Sequence, residues 1–396
     1  MQNKKTGVCI VVENLPVPVD RRVWQEARTL RDAGYRVSVI CPKARGFLRG
    51  RETLEEIEIY RYGVWEASGP LGYIFEYALA LAAQFRLALI VYARTRFRVL
   101  QACNPPDTIF LLGIFFKLFG VRFIFDHHDL NPELYEAKFG RKDWGYRLVC
   151  WAERMTFRTA DVSIATNESY REVAMGRGTM AEKRVFVVRS CPDLARVRKR
   201  PAQPELKEGR RFLVVYLGVM GPQDGLDLLL ESIHSMVHRA QRRDVLFVLI
   251  GSGTEVPRLK ALAAEKNLEP QVRFPGHLSD EEVAAYFSTA DVGVAPDPAT
   301  PMNDKSTMNK ILEYMAYGLP VVLYDLTEGR RSAADGALYA RPGDTEDFAR
   351  QLLRVLDSES LRRELGGRGR QRIEQCLNWE NEKRALLEAY AVALGR

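Results

Sequence analysis

The stretch NDKSTMNKILEYMAYGLPVV, Asn303–Val322, joins a polar opening, a helical middle and the strand-like end of an ordinary α/β repeat. In a helix starting near Ser306, the residues Ser306, Asn309, Lys310 and Glu313 recur at i, i+3, i+4 and i+7, which predicts one polar stripe. Met308, Ile311, Leu312 and Met315 fall on the other side, the face expected against a sheet. Such a stripe is about 10 Å long and begins where backbone N–H groups are unpaired and the helix dipole is positive. Lys305 and Lys310 add charge at that end. Glu313 stands roughly two turns on, where it could accept hydrogen bonds from paired hydroxyls. A nucleoside diphosphate has this shape. A capped surface helix with two solvated lysines would show the same spacing.

Outward from this repeat the pattern is uniform. Short apolar runs (VCIVV, RVSVICP, RFIFD, VSIAT, RVFVV, then RFLVVYLG, VLFVLIGSG, VRFPG, VGVAP, LPVVLYD) alternate with helical segments such as Arg21–Ala33, Gly225–Arg239, Glu255–Lys266 and Glu281–Thr289. This rhythm predicts parallel sheets covered on both faces. It restarts near residue 211, after the polar, proline-bearing stretch Arg196–Arg211, which is expected to be an interdomain linker. The expected architecture is α/β with two doubly wound domains, and ligands in such sheets bind beyond the carboxyl ends of the strands.

The 396 residues, 46% of them hydrophobic, are enough for two or three full cores. Six scattered cysteines without a C-x-x-C pair indicate neither a disulfide framework nor a thiolate zinc site, and suit a reducing compartment. Lys4 and Lys5 precede an apolar run of only strand length, so no signal peptide is expected. Charge is uneven: residues 1–200 hold 33 Lys and Arg against 22 Asp and Glu, the rest 25 against 29. The basic half predicts an anionic partner, whether lipid, nucleic acid or phosphorylated substrate. Leu71–Arg98 is a long helical pattern whose charges interrupt any uncharged run of the ~18 residues needed for spanning. A buried helix pair or an amphipathic surface resting on a bilayer is expected there. Nucleic acid is not expected as a partner, because no zinc-finger spacing, RNP-like strand or basic heptad region is present.

Gly251 and Gly253 follow a strand, but the third glycine of a dinucleotide fingerprint is Val256, which argues against a dehydrogenase. No G-x-S-x-G elbow or paired acidic glycosidase motif occurs, which argues against hydrolase chemistry, and no D-x-D occurs, so no metal is expected, nor any cofactor.

Taken together, VENLPVPVDRRVWQEARTLRDAGYRVSVICP, FDHHDLNPELY, YLGVMGPQDGLDLLL, LIGSGTEVPRL, ADVGVAPDPATPMNDKSTMNKILEYMAYGLPVV and LNWENEKRALLEAY resemble the retaining glycosyltransferases of family 4. The nearest resemblance is to the bacterial O-antigen and exopolysaccharide subgroup that includes an N-acetylfucosaminyltransferase. The resemblance implies a GT-B fold: an acceptor-side Rossmann-like domain over 1–196, a nucleotide-sugar domain over 197–379, and a helix over 380–396 returning to the first domain, the two facing each other across a cleft. It implies catalytic roles for His128, Lys305 and Glu313. The donor would be held by Gly218, Val219, Gly251, Gly253, Gly276, His277, Ser306, Thr307, Met308, Asn309 and Lys310. Asn14, Arg21, Arg22, Asp129 and Asn131 would face the acceptor. Lys305 stands where the family has its first glutamate, and Val219 and Asp224 stand where many members carry a diphosphate-gripping arginine and lysine. Lys305 and Lys310 are expected to replace that charge. The implied chemistry is transfer from a nucleoside-diphosphate sugar, a uridine one in first place, to a glycan or lipid-linked acceptor. The expected location is cytoplasmic, peripheral on the inner face of the cytoplasmic membrane. A nucleotide-sugar 2-epimerase and a non-catalytic sugar-nucleotide-binding protein remain alternatives.

Overall fold

The computed structural model describes residues 5–44, 46–63, 70–197 and 199–396, the side chains of 70–74 excepted. Lys4 and Arg198, and the side chains that open the Leu71–Arg98 segment, therefore lie outside the described residues. The chain forms two compact units, Met1–Ser190 with Glu382–Arg396, and Cys191–Asn381.

Unit 1 carries β1 (Gly7–Val11), β2 (Arg36–Pro42), β3 (Arg51–Leu54), β4 (Ile57–Tyr62), β5 (Val99–Cys103), β6 (Arg122–His127), β7 (Val162–Ala165) and β8 (Val185–Val187). They form one sheet in the order β3-β4-β2-β1-β5-β6-β7-β8. Only β3 runs antiparallel, on β4 at the edge. Unit 2 carries β9 (Phe212–Leu217), β10 (Val245–Ile250), β11 (Val272–Gly276), β12 (Val292–Ala295), β13 (Val321–Tyr324) and β14 (Ala337–Ala340). They form a parallel sheet in the order β11-β10-β9-β12-β13-β14.

In each sheet the first strand lies inside, between neighbours reached by crossovers in opposite directions. This is the switch point of a doubly wound sheet, where loops diverge and leave a crevice at the carboxyl ends. The side chains of β9 show why its strands are continuously apolar. Phe212, Val214 and Tyr216 enter one core with Leu229 and Phe348. Leu213 and Val215 enter the other, with Phe287, Ile311 and Met315. A strand covered on both faces has no polar side.

Three expectations change. The quoted stretch is two helices, Pro301–Lys305 and Asn309–Ala316, since Ser306 and Met308 are extended. Thr300 caps the first by accepting from Asn303 N–H, and buried Asn303 donates to Gln223 and Pro298 carbonyls. These bonds tie the short helix to neighbouring loops and break the path into the next one. The polar stripe through Ser306 thus does not exist as one helix face. Arg196–Arg211 belongs to unit 2 rather than hanging free: the Arg200 and Gln203 amides donate to Ser288 and Thr289 hydroxyls, and Lys207 pairs with Asp291. Pro70–Thr95 is a single helix rather than a pair. Its part Phe75–Thr95 is, among the described residues, long and apolar enough to cross a membrane by length and composition, and most of it lies outside the core. Leu87, Ala88 and Val91 seat it on the sheet, while Phe75, Leu79 and Leu89 are exposed.

The Tyr314 hydroxyl links three elements of unit 2, accepting from Leu217 N–H at 2.8 Å and donating to the Val294 carbonyl at 3.2 Å. Tyr314→Phe should leave that buried amide unpaired and cost about 1–3 kcal/mol. A urea denaturation midpoint unchanged from the wild type would contradict this.

Candidate functional site

Each unit gathers polar groups at the carboxyl ends of its strands. In unit 2 the loops after β9 and β10 press together backbone to backbone. Gly218 N–H donates to Ile250, Met220 N–H to Ser252, and Gly251 N–H to the Gly276 carbonyl after β11. A Cβ on Gly251, which has φ +136°, would stand 1.9 Å from the Gly218 oxygen, and one on Gly253 would stand 2.3 Å from the Met220 oxygen. Only glycine permits this approach. The product is a ledge of bare backbone. Val219 projects from it, 63% exposed, and Asp224 turns back to accept from Gly221 N–H at 2.9 Å.

Lys310 lies against this ledge, with its chain near Gly218 and its ammonium 4.8 Å from the centre of the Tyr216 ring. It was expected on an outward stripe, but is buried and pairs with Asp297 at 2.8 Å. A lysine buried this deeply requires such a partner. Its charge is therefore already matched. Glu313 follows one turn later, half-buried; Asn309 and His277 are exposed, and Ser306, Thr307, Met308 and Lys305 are half-buried in and beside the link between the two helices. The Ser306 hydroxyl donates to the Met302 carbonyl.

Unit 1 holds a buried network around Asp126. Arg22 Nη2 donates to Asp126 Oδ1 at 2.8 Å, Arg22 Nη1 to the Val188 carbonyl at 2.6 Å, and Gln101 Nε2 to Asp126 Oδ2 at 2.8 Å. Tyr390, from the closing helix, donates to Gln101 at 2.6 Å. His128 Nε2 lies 2.9 Å from Asp126 Oδ2 and 3.0 Å from Arg22 Nε. Burial alone would raise the Asp126 pKa, but Arg22 and His128 outweigh it and hold the carboxyl well below its ordinary range. Burial would depress His128, and Asp126 outweighs it and raises the imidazole pKa. Nε2 thus faces both Asp126 and the Arg22 Nε–H, which donates to it. Glu26 is pushed up, by burial and then by the charge of Asp126.

Arg22 is thus a correction. It was expected on an acceptor-facing rim, yet it is buried as the counter-ion of Asp126, whereas its neighbour Arg21 is exposed. Asp20 caps their helix by accepting from Val23 N–H. Beside His128, the Asn104 side chain accepts from the His128 and Asp129 amides and donates to Asp107, which also accepts from Asn131 at 2.7 Å. Asn14 hydrogen-bonds the Asp129 carboxyl. Asn14, His128, Asp129 and Asn131 therefore stand together beyond β1, β5 and β6. Asp126, Asn104, Asp107 and Gln101 complete the group without having been singled out from the sequence. The NPPD loop at 104–107, polar just after an apolar strand, was the available signal. Cys103, Asp126 and His128 bring ligand atoms within 4.8 Å of one another. The Arg22 guanidinium already supplies the cation at that carboxylate, so the group does not suit a metal.

Residues 19–190 match the family described as "Glycosyl transferase 4-like domain" and residues 211–358 that described as "Glycosyl transferases group 1". A glycosyltransferase domain model thus matches each of the two units, and the fold is of the GT-B class. It is 25% identical over 279 residues to the MMP alpha-(1->4)-mannosyltransferase of Mycolicibacterium hassiacum, covering 64% of this chain and 67% of that protein. It is 26% identical over 176 residues to O-antigen chain mannosyltransferase B of Escherichia coli, covering 44% of this chain and 45% of that protein. In fold it is similar to Anabaena HepE in complex with UDP and glucose, with a TM-score of 0.74 at 16% identity over 97% of this chain and 99% of that one.

His127 stands apart from this chemistry. Its ring is fully buried among Phe125, Phe157 and Tyr170, and neither nitrogen has a hydrogen-bond partner among the described residues. Burial, with Arg177 nearby, depresses its pKa from 6.5 to about 3. A depressed folded-state pKa contributes stability above the unfolded value that is lost as pH falls through the folded one. Unit 1 should weaken as pH drops from 6.5 towards 3, and His127→Phe should flatten that slope in urea titrations across the range. An unchanged slope would contradict the assignment.

Proposed function

We propose that this GT-B glycosyltransferase moves a hexose or N-acetylhexosamine from a uridine-diphosphate donor to a glycan or lipid-linked acceptor in cell-surface polysaccharide synthesis. It works at the inner face of the cytoplasmic membrane, without a metal. The observation that carries the reading is the glycine ledge of unit 2. Its bare backbone admits the close approach of a diphosphate, and the Glu313 carboxylate, beyond the first turn of the adjoining helix, is assigned to accept from ribose hydroxyls. The UDP and glucose named for the Anabaena neighbour, and the O-antigen role named for the Escherichia coli relative, support it.

In this reading the acceptor hydroxyl attacks the anomeric carbon as the bond to the diphosphate oxygen breaks. The leaving oxygen takes the acceptor proton on the same face, giving retention and needing no carboxylate nucleophile. The protein positions the substrates and stabilises the diphosphate charge. Lys305, the last residue of the short helix, is the cation assigned to that charge. His128 and Asp129 orient hydroxyl groups in unit 1. Val219 and Asp224 on the ledge favour a second reading, sugar-nucleotide binding without transfer.

Titration with nucleoside diphosphates and nucleotide sugars should raise the melting temperature selectively with uridine compounds, because ligand binding to the folded state stabilises it. Glu313→Ala should abolish the shift, and Lys305→Ala should raise the dissociation constant at least ~10-fold, about 1.4 kcal/mol. A protein indifferent to every nucleotide would overturn the proposal. Nucleotide binding without diphosphate release, on any glycan or lipid extract, would leave only the second reading.

A further inference from the structure

Unit 1 presents an apolar face that neither constellation uses. In the helix Trp144–Thr159, Trp144, Leu148 and Trp151 are 73%, 51% and 52% exposed. Their spacing of four and three residues puts them in one outward row. Arg147, Arg154 and Arg158 are exposed on the same helix, and their side chains make no ion pair among the described residues. Glu153, the helix's one carboxylate, is turned inward to Arg177. The outward row therefore carries indoles, a leucine and guanidinium groups, with no acid. It continues onto the helix Phe110–Lys117, joined to it by the edge-on contact of Phe110 with Trp151 at 5.5 Å between ring centres. Leu111 and Ile114, 42% and 46% exposed, extend the apolar surface there.

We propose that this face docks on an anionic lipid bilayer, the indoles entering the headgroup boundary and the three arginines reaching lipid phosphates. The proposal rests on the membrane-surface reading above and names the surface responsible. Charge decides between occupants. A second copy seated on this face about a two-fold axis would bring the arginine row against itself, and like charges oppose that contact. An anionic bilayer offers instead a low-dielectric interior for the indoles and negative charge for every arginine. Because the opposite side of each helix is core, the segment lies on the membrane instead of crossing it.

The test is flotation of the full chain with phosphatidylcholine vesicles, with and without about 30 mol% phosphatidylglycerol. Wild-type protein should float with the anionic vesicles at low salt, and much less with neutral ones. Trp144→Ser with Trp151→Ser, and separately Arg147→Gln with Arg154→Gln and Arg158→Gln, should each reduce partitioning at least ~10-fold. All five positions are exposed, so both variants should keep the wild-type melting temperature. If one melts early, the other still decides. Both should retain the uridine-nucleotide shift of the wild type, which separates failure of this proposal from failure of the transferase reading. Three results overturn it: wild-type flotation by both variants, no flotation of the wild type, or a wild-type dimer in sedimentation that the tryptophan variant dissolves.

Discussion

Each unit depends on one carboxylate, buried near the carboxyl end of a parallel strand and neutralised by a cation from the second residue of a helix. In unit 1 Asp126, in β6, is met by Arg22 of the helix Arg21–Asp32; in unit 2 Asp297, just beyond β12, is met by Lys310 of the helix Asn309–Ala316. Two parallel sheets folded on the same plan reach the same solution. Removing one member of such a pair leaves a charge in a dry interior, at a cost on the order of 3–5 kcal/mol. Each pair therefore pins the start of a helix to the end of a strand, at the place where a switch-point crevice needs rigid walls.

This constraint explains where reading the sequence succeeded and where it failed. The ten strand runs quoted from it all lie on observed strands because strands covered on both faces are plainly apolar. The strands it missed are of a different kind. β3 and β4 mix charge with apolar residues at the sheet edge, β5 carries the polar Gln101 in a five-residue run, and β14 has four residues. Helix periodicity located the polar residues after Asn303, but could not show that Thr300 and Asn303 would close a separate turn first. Nor could it show that Lys310 has a partner 13 residues back, because Asp297 is distant in period and adjacent only in the fold. Arg22 was misjudged for the same reason, its carboxylate lying 104 residues away. Glycines at strand ends, by contrast, were legible, since close backbone approach leaves no other residue possible.

The two pairs differ in what remains after neutralisation. Around Asp126 both Arg22 and His128 favour the ionised carboxylate, which in turn raises the His128 pKa, while burial raises that of Glu26. Of these groups His128 holds the more exposed position. Around Asp297 the count closes at zero, and the Asp224 carboxyl on the neighbouring loop is itself pushed towards neutrality by burial. An anion reaching the ledge in unit 2 therefore meets little fixed charge from the buried pair. What it meets is a backbone held in place by its own hydrogen bonds, the Gly218, Met220, Gly221 and Gly251 N–H groups already donating within the unit. Dipoles fixed in place need no reorganisation when charge develops on a ligand, which is the condition under which they stabilise it most. Val219 and Asp224, where many members of the resembled family carry basic side chains, leave that backbone as the main surface of the ledge.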